Sequence, residues 1–308
     1  MPEVSVIIVC MGGPQKFLET CLAGLKAHTK ASYEVLTVAY RWSAEDKDAF
    51  AKAHPEVTLI PSDEVRGFSE NNNLALPLAK GRFCLVLNDD TRIESPVVDT
   101  LLADFEKLPK EAAVVSPCIR FADGRIQTCG RTKWTPWRYA KHYLHLVDEG
   151  KESSLRAPGH PALPSSTFQT YTLNGACFLI KTEVFREMGW FDERFFFTPE
   201  DIALGHKLNE SGYSVWTDAG VSITHLAGAS VSAMEAAIKP ARVRGSLIFY
   251  GEPVGLKIFI WCFEALRVCK YTFLPRTPRN VLMKKTARNV MQTVFSKESP
   301  KEIFLKFS

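Results

Sequence analysis

Short runs of β-branched and other apolar residues at 4–9, 33–38 and 57–60 recur along the N-terminal part of the chain, with an amphipathic stretch between one run and the next. After the first run, Pro14 suits a first helical position, and Phe17, Leu18, Cys21, Leu22 and Leu25 then form an apolar stripe at helical spacing. Residues 45–54 read as a second helix and 69–80 as a third, which Pro77 should bend or shorten and Gly81 should stop. Residues 82–87 read as a buried strand, 95–108 as a helix opened by Ser95-Pro96, and 113–116 as another strand. Such βα repetition predicts an α/β fold with a doubly wound, mostly parallel sheet. A dinucleotide-dependent oxidoreductase is excluded, because Cys10-Met11-Gly12-Gly13 stands where a G-x-G-x-x-G turn would follow the first strand.

Past Pro117 the pattern loosens. Asp123-Gly124 marks the turn of a hairpin over 119–128, and 131–170 reads as an irregular stretch rich in Pro, Trp, Tyr and His. Long loops of this kind bind ligands, and Trp134, Trp137, Tyr139 and Tyr143 offer flat faces to a sugar or lipid unless they fill a local core. Regular structure is expected again at 173–180, at a helix over 182–188, at a helix over 200–211, and at a strand over 213–217.

Two acidic pairs stand out. Asn88-Asp89-Asp90-Thr91 closes the run at 82–87, placing carboxylates at the carboxyl end of a buried strand, where open α/β sheets hold ligands. A metal-bound diphosphate fits there, and so does a plain turn. Glu200-Asp201 opens a helix, where one acid would complement the helix dipole. The preceding aromatic run at 190–197 could shield a carboxylate from water and fit it for general-base work.

Several segments occur in an order that resembles family 2 glycosyltransferases, most closely a rhamnosyltransferase-like branch. They are residues 4–10, Arg66-Gly67-Phe68 with Asn71-Asn72-Asn73-Leu74, Leu87-Asn88-Asp89-Asp90-Thr91, Asp123-Gly124-Arg125-Ile126-Gln127, residues 174–180, residues 189–196, Glu200-Asp201, and His225 with Gly228 and Ser230. The resemblance covers about three quarters of the chain and implies a GT-A fold: a nucleotide-sugar domain over 1–235, with its donor half about 1–117 and its acceptor half about 118–235. It implies inverting transfer from a nucleotide-sugar to a glycan or a polyprenyl-diphosphate-linked acceptor, assisted by Mn²⁺ or Mg²⁺. Asp90 then corresponds to the metal-binding aspartate, with Asn88 and Asp89 beside it, and Asp201 to the general base, with Glu200 its orienting neighbour. Cys10, Arg66, Asn72 and Asn73 are implied on the donor side. His225 is either a metal or diphosphate contact or a hydrogen-bonded structural residue. The chain departs from the family at Val38-Ala39-Tyr40-Arg41-Trp42, which lacks the aspartate that reads the base, leaving Tyr40 or Trp42 to stack on it, and at Ala203, where an acid is common. A non-catalytic sugar-binding module of the same fold is the alternative; acids at both 90 and 201 argue against it.

Charge divides unevenly. From Lys239 onward there are 14 Lys/Arg against 4 Asp/Glu, and before it 24 against 30, so a body of −6 carries a tail of +10. Residues 254–274 carry too many charges to span a bilayer; Lys257, Glu264, Arg267 and Lys270 fall on one side of the helix and leave a broad apolar face. Followed by Arg276, Arg279, Lys284, Lys285 and Arg288, the region 236–308 reads as a basic amphipathic extension suited to an anionic membrane surface. Nucleic acid is not expected, since no recognition motif accompanies the charge. The start shows no secretory signal, and the eight cysteines form no C-x-x-C pair, so a cytosolic protein with reduced core thiols, peripheral on the inner membrane face, is expected.

Overall fold

The computed structural model describes residues 1–14, 16–154, 166–226 and 234–308. The chain divides into two compact units: Met1–Lys133, Asp148–Asp192 and Asp201–Ala227 form the first, and Trp134–Val147, Glu193–Glu200 and Gly228–Ser308 the second.

The first unit opens with β1 (Val4–Met11), α1 (Lys16–His28), β2 (Tyr33–Tyr40), α2 (Ala44–Ala53), β3 (Val57–Ser62) and α3 (Phe68–Ala75). Pro77 lies in a single 3₁₀ turn, Leu76–Leu78, so it shortens the helix as expected. Next come β4 (Phe83–Asn88), β5 (Thr91–Arg92), α4 (Val97–Phe105), β6 (Ala112–Arg120) and β7 (Ile126–Thr128). The strands pair in the order β3-β2-β1-β4, all parallel. The apolar side chains of β1 alternate between two cores: Val4, Val6 and Ile8 pack with Leu18, Cys21 and Leu25 of α1, whereas Ile7 packs on the other face with Ala75 of α3. Fully burying each such aliphatic chain contributes roughly 1.5–3 kcal/mol, which fixes the register of the sheet.

Four features differ from the sequence reading. Strand β6 runs through Pro117 to Arg120 rather than stopping at 116. The stretch read as irregular contains α5 (Pro136–Tyr143), α6 (Glu149–Ser154) and β8 (Thr167–Thr170). Helix α5 forms because Thr135 caps it, accepting the Arg138 N–H at 3.1 Å, with Pro136 in the first turn. Residues 173–176 lie outside β9 (Cys177–Lys181), which inserts antiparallel between β4 and β6 and makes the sheet mixed. Helix α7 (Thr182–Glu187) follows, then α8 (Glu200–Glu210), whose Leu204 and Leu208 join the second core. Strand β10 (Ser214–His225), read only to 217, continues past an irregularity between Asp218 and Ser222 and pairs parallel to β6, antiparallel to β5 and antiparallel to β8.

The second unit comprises α5 with α9 (Glu235–Phe249), α10 (Val254–Phe273), α11 (Pro278–Thr293) and α12 (Pro300–Phe307). Trp134, Tyr139 and Tyr143 are buried within it and Trp137 is exposed. The aromatic run also divides: Phe191 packs on Phe178 and Phe185 in the first unit, while Phe196 packs on Phe304 in the second. Six cysteines are buried, but Cys262 and Cys269 on α10 are exposed, which corrects the expectation that all eight lie in a core.

Candidate active site

Strand β4 ends at Asn88, and the chain turns at once: the Thr91 hydroxyl donates to the Asn88 carbonyl at 2.8 Å, so Asp89 and Asp90 occupy the bend. β5 then pairs with the end of β10 so that His225 stands opposite Thr91 and Thr224 opposite Arg92. That register, reinforced by the Leu226 N–H donating to the Asp90 carbonyl at 3.1 Å, carries an imidazole from 135 residues away in sequence to the aspartate turn. His225 Nε2 lies 3.1 Å from Asp90 Oδ1 and 3.2 Å from Asn88 Nδ2, and Nδ1 lies 3.0 Å from Gln127 Oε1 on β7.

The donor set fits a divalent cation. With Gln127 presenting its carbonyl oxygen, Nδ1 donates to it, and in the neutral tautomer that leaves, Nε2 would turn a lone pair toward Asp90 and the Asn88 amide. A carboxylate oxygen and an imidazole lone pair would then face each other, an arrangement that a cation relieves. Ligands about 2.1 Å from one octahedral ion stand roughly 3 Å apart at right angles, close to the observed Asp90–His225 spacing. Among the described residues no group of three His, Cys, Asp or Glu converges, so a cation held by Asp90 and His225 would take its further ligands from outside the chain. Carboxylate with imidazole suits Mn²⁺ better than a closed zinc site. Burial pushes the Asp89 carboxyl up, partly countered by a hydrogen bond from Cys10 and reinforced by Asp90 beside it.

Asp201 begins α8 in a different setting. Arg131 Nη1 donates to its Oδ2 at 2.7 Å and the Gly175 N–H donates to the same oxygen at 3.2 Å; Oδ1 accepts from the Ile202 N–H at 2.7 Å. Arg131 also pairs with Glu149 of α6 at 2.8 Å and donates to the Leu173 carbonyl at 3.0 Å. Burial alone would lower the Arg131 pKa, but Glu149 and Asp201 outweigh it and lift it above the ordinary arginine value. The backbone delivers Arg131 through Gly130, whose φ of 72° favours glycine and where a Cβ would sit 2.5 Å from Thr170. Glu200 is buried beside Asp201 in sequence.

Consecutive residues tie the two acidic clusters together. Gly175 donates to Asp201, and the Ala176 carbonyl accepts the Asn88 N–H at 2.9 Å. The Asn174-Gly175-Ala176 segment therefore touches both.

Of the remaining expected residues, Cys10 reaches Asp89, and the others make contacts outside the two acidic clusters. Cys10 is fully buried, its sulfur 3.2 Å from the Gly13 carbonyl and also beside Asp89, and its carbonyl accepts the Trp42 indole N–H at 2.8 Å. Trp42 is itself buried against Phe50, so it offers no face for base stacking, whereas the Tyr40 hydroxyl accepts the Arg66 N–H at 3.2 Å. Arg66 pairs with Glu64 at 2.7 Å. Asn72 is buried and donates to the Phe68 carbonyl; Asn73 donates to and accepts from the Phe191 backbone, clamping α3 to the core. Gly228 and Ser230 lie outside the described residues. Sequence reasoning assigned no role to Arg131, Glu149 or Gln127. Gln127 stood inside a quoted motif, but its contact depends on a strand register that no local pattern encodes.

A family model described as glycosyltransferase like family 2 matches residues 2–242. Over 233 residues the chain is 28% identical to the O-antigen biosynthesis protein RfbC of Myxococcus xanthus, an alignment covering 74% of this chain and 18% of that protein, so the chain spans under a fifth of that relative. It is 24% identical over 239 residues to the N-acetylglucosaminyl-diphospho-decaprenol L-rhamnosyltransferase of Mycobacterium tuberculosis, covering 74% of this chain and 78% of that enzyme. Among solved structures, GalNAc-T7 with UDP, GalNAc and Mn²⁺ shares the fold with a TM-score of 0.55 at 14% identity, over 73% of this chain and 43% of that one. The mannosyltransferase PcManGT from Pyrobaculum calidifontis, in complex with GDP-Man and Mn²⁺, gives 0.51 at 16% identity, over 99% of this chain and 79% of that one. The fold is thus GT-A, as the sequence resemblance implied. With the family model spanning well over half its length, the chain belongs to glycosyltransferase like family 2 and is a glycosyltransferase.

Proposed function

We propose that the protein catalyses metal-assisted, inverting transfer of a sugar from a nucleotide-diphosphate donor to a hydroxyl of a glycan or of a polyprenyl-diphosphate-linked glycan. The observation that supports this is the Gly175-Ala176 link, whose backbone bonds both Asp201 and Asn88 and so joins the two acidic clusters. Residues of 1–117 take the donor and residues of 118–235 the acceptor. Asp90 and His225 hold Mn²⁺ or Mg²⁺, with Asn88 and Asp89 beside them; when bound, the ion neutralises charge developing on the departing diphosphate. The acceptor hydroxyl oxygen attacks the anomeric carbon from the side opposite the diphosphate. As the new C–O bond forms and the bond to the diphosphate oxygen breaks, the hydroxyl proton passes to Asp201. The oxygen that receives it is Oδ1, because Arg131 and Gly175 occupy Oδ2 and hold the carboxylate in one orientation. Glu200 supports that helix start, and Arg66 lies on the donor side. A membrane-borne acceptor places the enzyme at the cytoplasmic membrane face; the name of the mycobacterial relative, which specifies a decaprenol-linked acceptor, supports that class.

The test is release of nucleoside diphosphate from a panel of nucleotide-sugars with and without Mn²⁺. One donor or a narrow set should turn over only with metal, and added lipid-linked acceptor should accelerate it. Equal turnover in the presence of chelator would overturn the metal role, and no turnover of any donor would overturn the reading.

A further inference from the structure

Helix α10 packs through Leu256, Ile260 and Glu264 and leaves a second, broader apolar face uncovered. At about 100° per residue, Val254, Ile258, Trp261, Cys262, Leu266, Cys269 and Phe273 fall within an arc of roughly 140°, and all are exposed, Leu266 at 70% and Phe273 at 89%. The inward side carries Leu256, Ile260 and one buried charge: Glu264 is 0% exposed, pairs with Lys239 of α9 at 2.9 Å and Arg267 at 2.8 Å, and accepts the Tyr143 hydroxyl of α5. A buried carboxylate stripped of its partners costs several kcal/mol, so the helix cannot roll to hide its apolar face. So large an exposed apolar surface marks an interface.

The chemistry beside it identifies the partner. From residue 265 to 297 there are eight Lys/Arg and no Asp/Glu. A cleft of about 610 Å³ at the end of α10 and along α11 is lined by Tyr271, Arg276, Asn280, Lys284, Lys285 and Arg288, among others. Among the described residues, none of these four cations has an ion pair or side-chain hydrogen bond. A second copy of the chain would bring the same acid-free stretch to the contact and set like charges together. A surface of phosphates over an apolar layer matches both features.

We propose that α10 and α11 form a docking surface for an anionic bilayer, with the outer side chains of α10 entering the boundary between headgroups and acyl chains and the cleft holding lipid phosphate. This deepens the reading of a membrane-borne acceptor, and vesicle binding is measured without turnover, so the two can fail separately. Full-length protein should co-sediment with vesicles of phosphatidylcholine and phosphatidylglycerol, less as salt rises, and poorly with phosphatidylcholine alone. Replacing Lys284, Lys285 and Arg288 by Gln should weaken binding by about fivefold per residue, on the order of 100-fold together. Leu266→Ser with Phe273→Ser should weaken binding and leave the salt dependence unchanged. All five side chains lie at or near the surface, and an unchanged melting temperature verifies folding. Wild-type binding by the Gln variant, or no binding by the wild type, overturns the proposal. So does a solution dimer broken by Phe273→Ser, which would make the face a self-contact. Tight calorimetric binding of inorganic pyrophosphate alone, lost in the Gln variant, would reassign the cleft to a soluble phosphate compound.

Discussion

The two acidic clusters share a backbone segment, yet they are neutralised in opposite ways. At Asp201 the chain supplies its own cation: Arg131 bridges Asp201 and Glu149, and one net negative charge remains. At Asp89 and Asp90 the neighbours are the side chains of Asn88, Cys10 and His225, and among the described residues no Lys or Arg pairs with either acid. A carboxylate with an internal counter-ion is held in one orientation for a single task, whereas carboxylates without one call for a cation from outside. Asp201→Asn should therefore reduce kcat by roughly 10²–10⁴-fold while the donor KM changes little, because the amide keeps the shape but cannot take the proton. Steady-state kinetics with saturating Mn²⁺ decide this; near-normal kcat would show that the clusters do not differ in kind.

Asp90→Ala should break the other half of the comparison. Turnover is expected to fall on the order of 10²–10³-fold, as when one stabilising group is removed from a transition state, and calorimetry should show lost binding of nucleoside diphosphate plus Mn²⁺. Without metal, the same variant should melt no lower than the wild type, since it removes a carboxylate adjacent to Asp89 rather than an ion pair to Lys or Arg. Unchanged calorimetric binding would dismiss Asp90 as a ligand.

How much of this was legible depends on how local each signal is. The run ending in Asn88-Asp89-Asp90 announces itself because burial and turn chemistry act on adjacent residues. The Arg131–Asp201 pair, 70 residues apart, exists only through the turn at Gly130 and the segment at 173–175. The polar arc of α10 was readable from spacing, but which arc faces inward is set by Lys239 and Tyr143 on other helices. His225 was visible as a candidate, whereas Gln127, which lies 3.0 Å from its Nδ1, was not. Gln127→Ala should weaken Mn²⁺ affinity by roughly 10–100-fold, with turnover recovering at high Mn²⁺. Loss of turnover that no Mn²⁺ concentration restores would mean Gln127 acts on substrate instead.

A third acidic pair extends the comparison, because here the neutralising cation is a proton. Asp104 on α4 and Asp218 on β10 are both buried, and burial followed by the Asp218 charge pushes the Asp104 carboxyl up to about 6. With the folded pKa above that of the unfolded chain, the native state binds the extra proton between about pH 4 and 6. Stability from this group is thus fully present at the acid end and is lost as pH rises through about 6, the reverse of an ordinary salt-bridged carboxylate. Asp104→Asn keeps the shape, donates from its amide to Asp218, and removes the titration. It should raise the melting temperature by a few degrees above pH 7, corresponding to on the order of 1 kcal/mol, and leave it unchanged near pH 4. Melting curves across that range read the difference directly; a variant less stable than the wild type at pH 7.5 would mean the pair is held by a cation rather than by a proton.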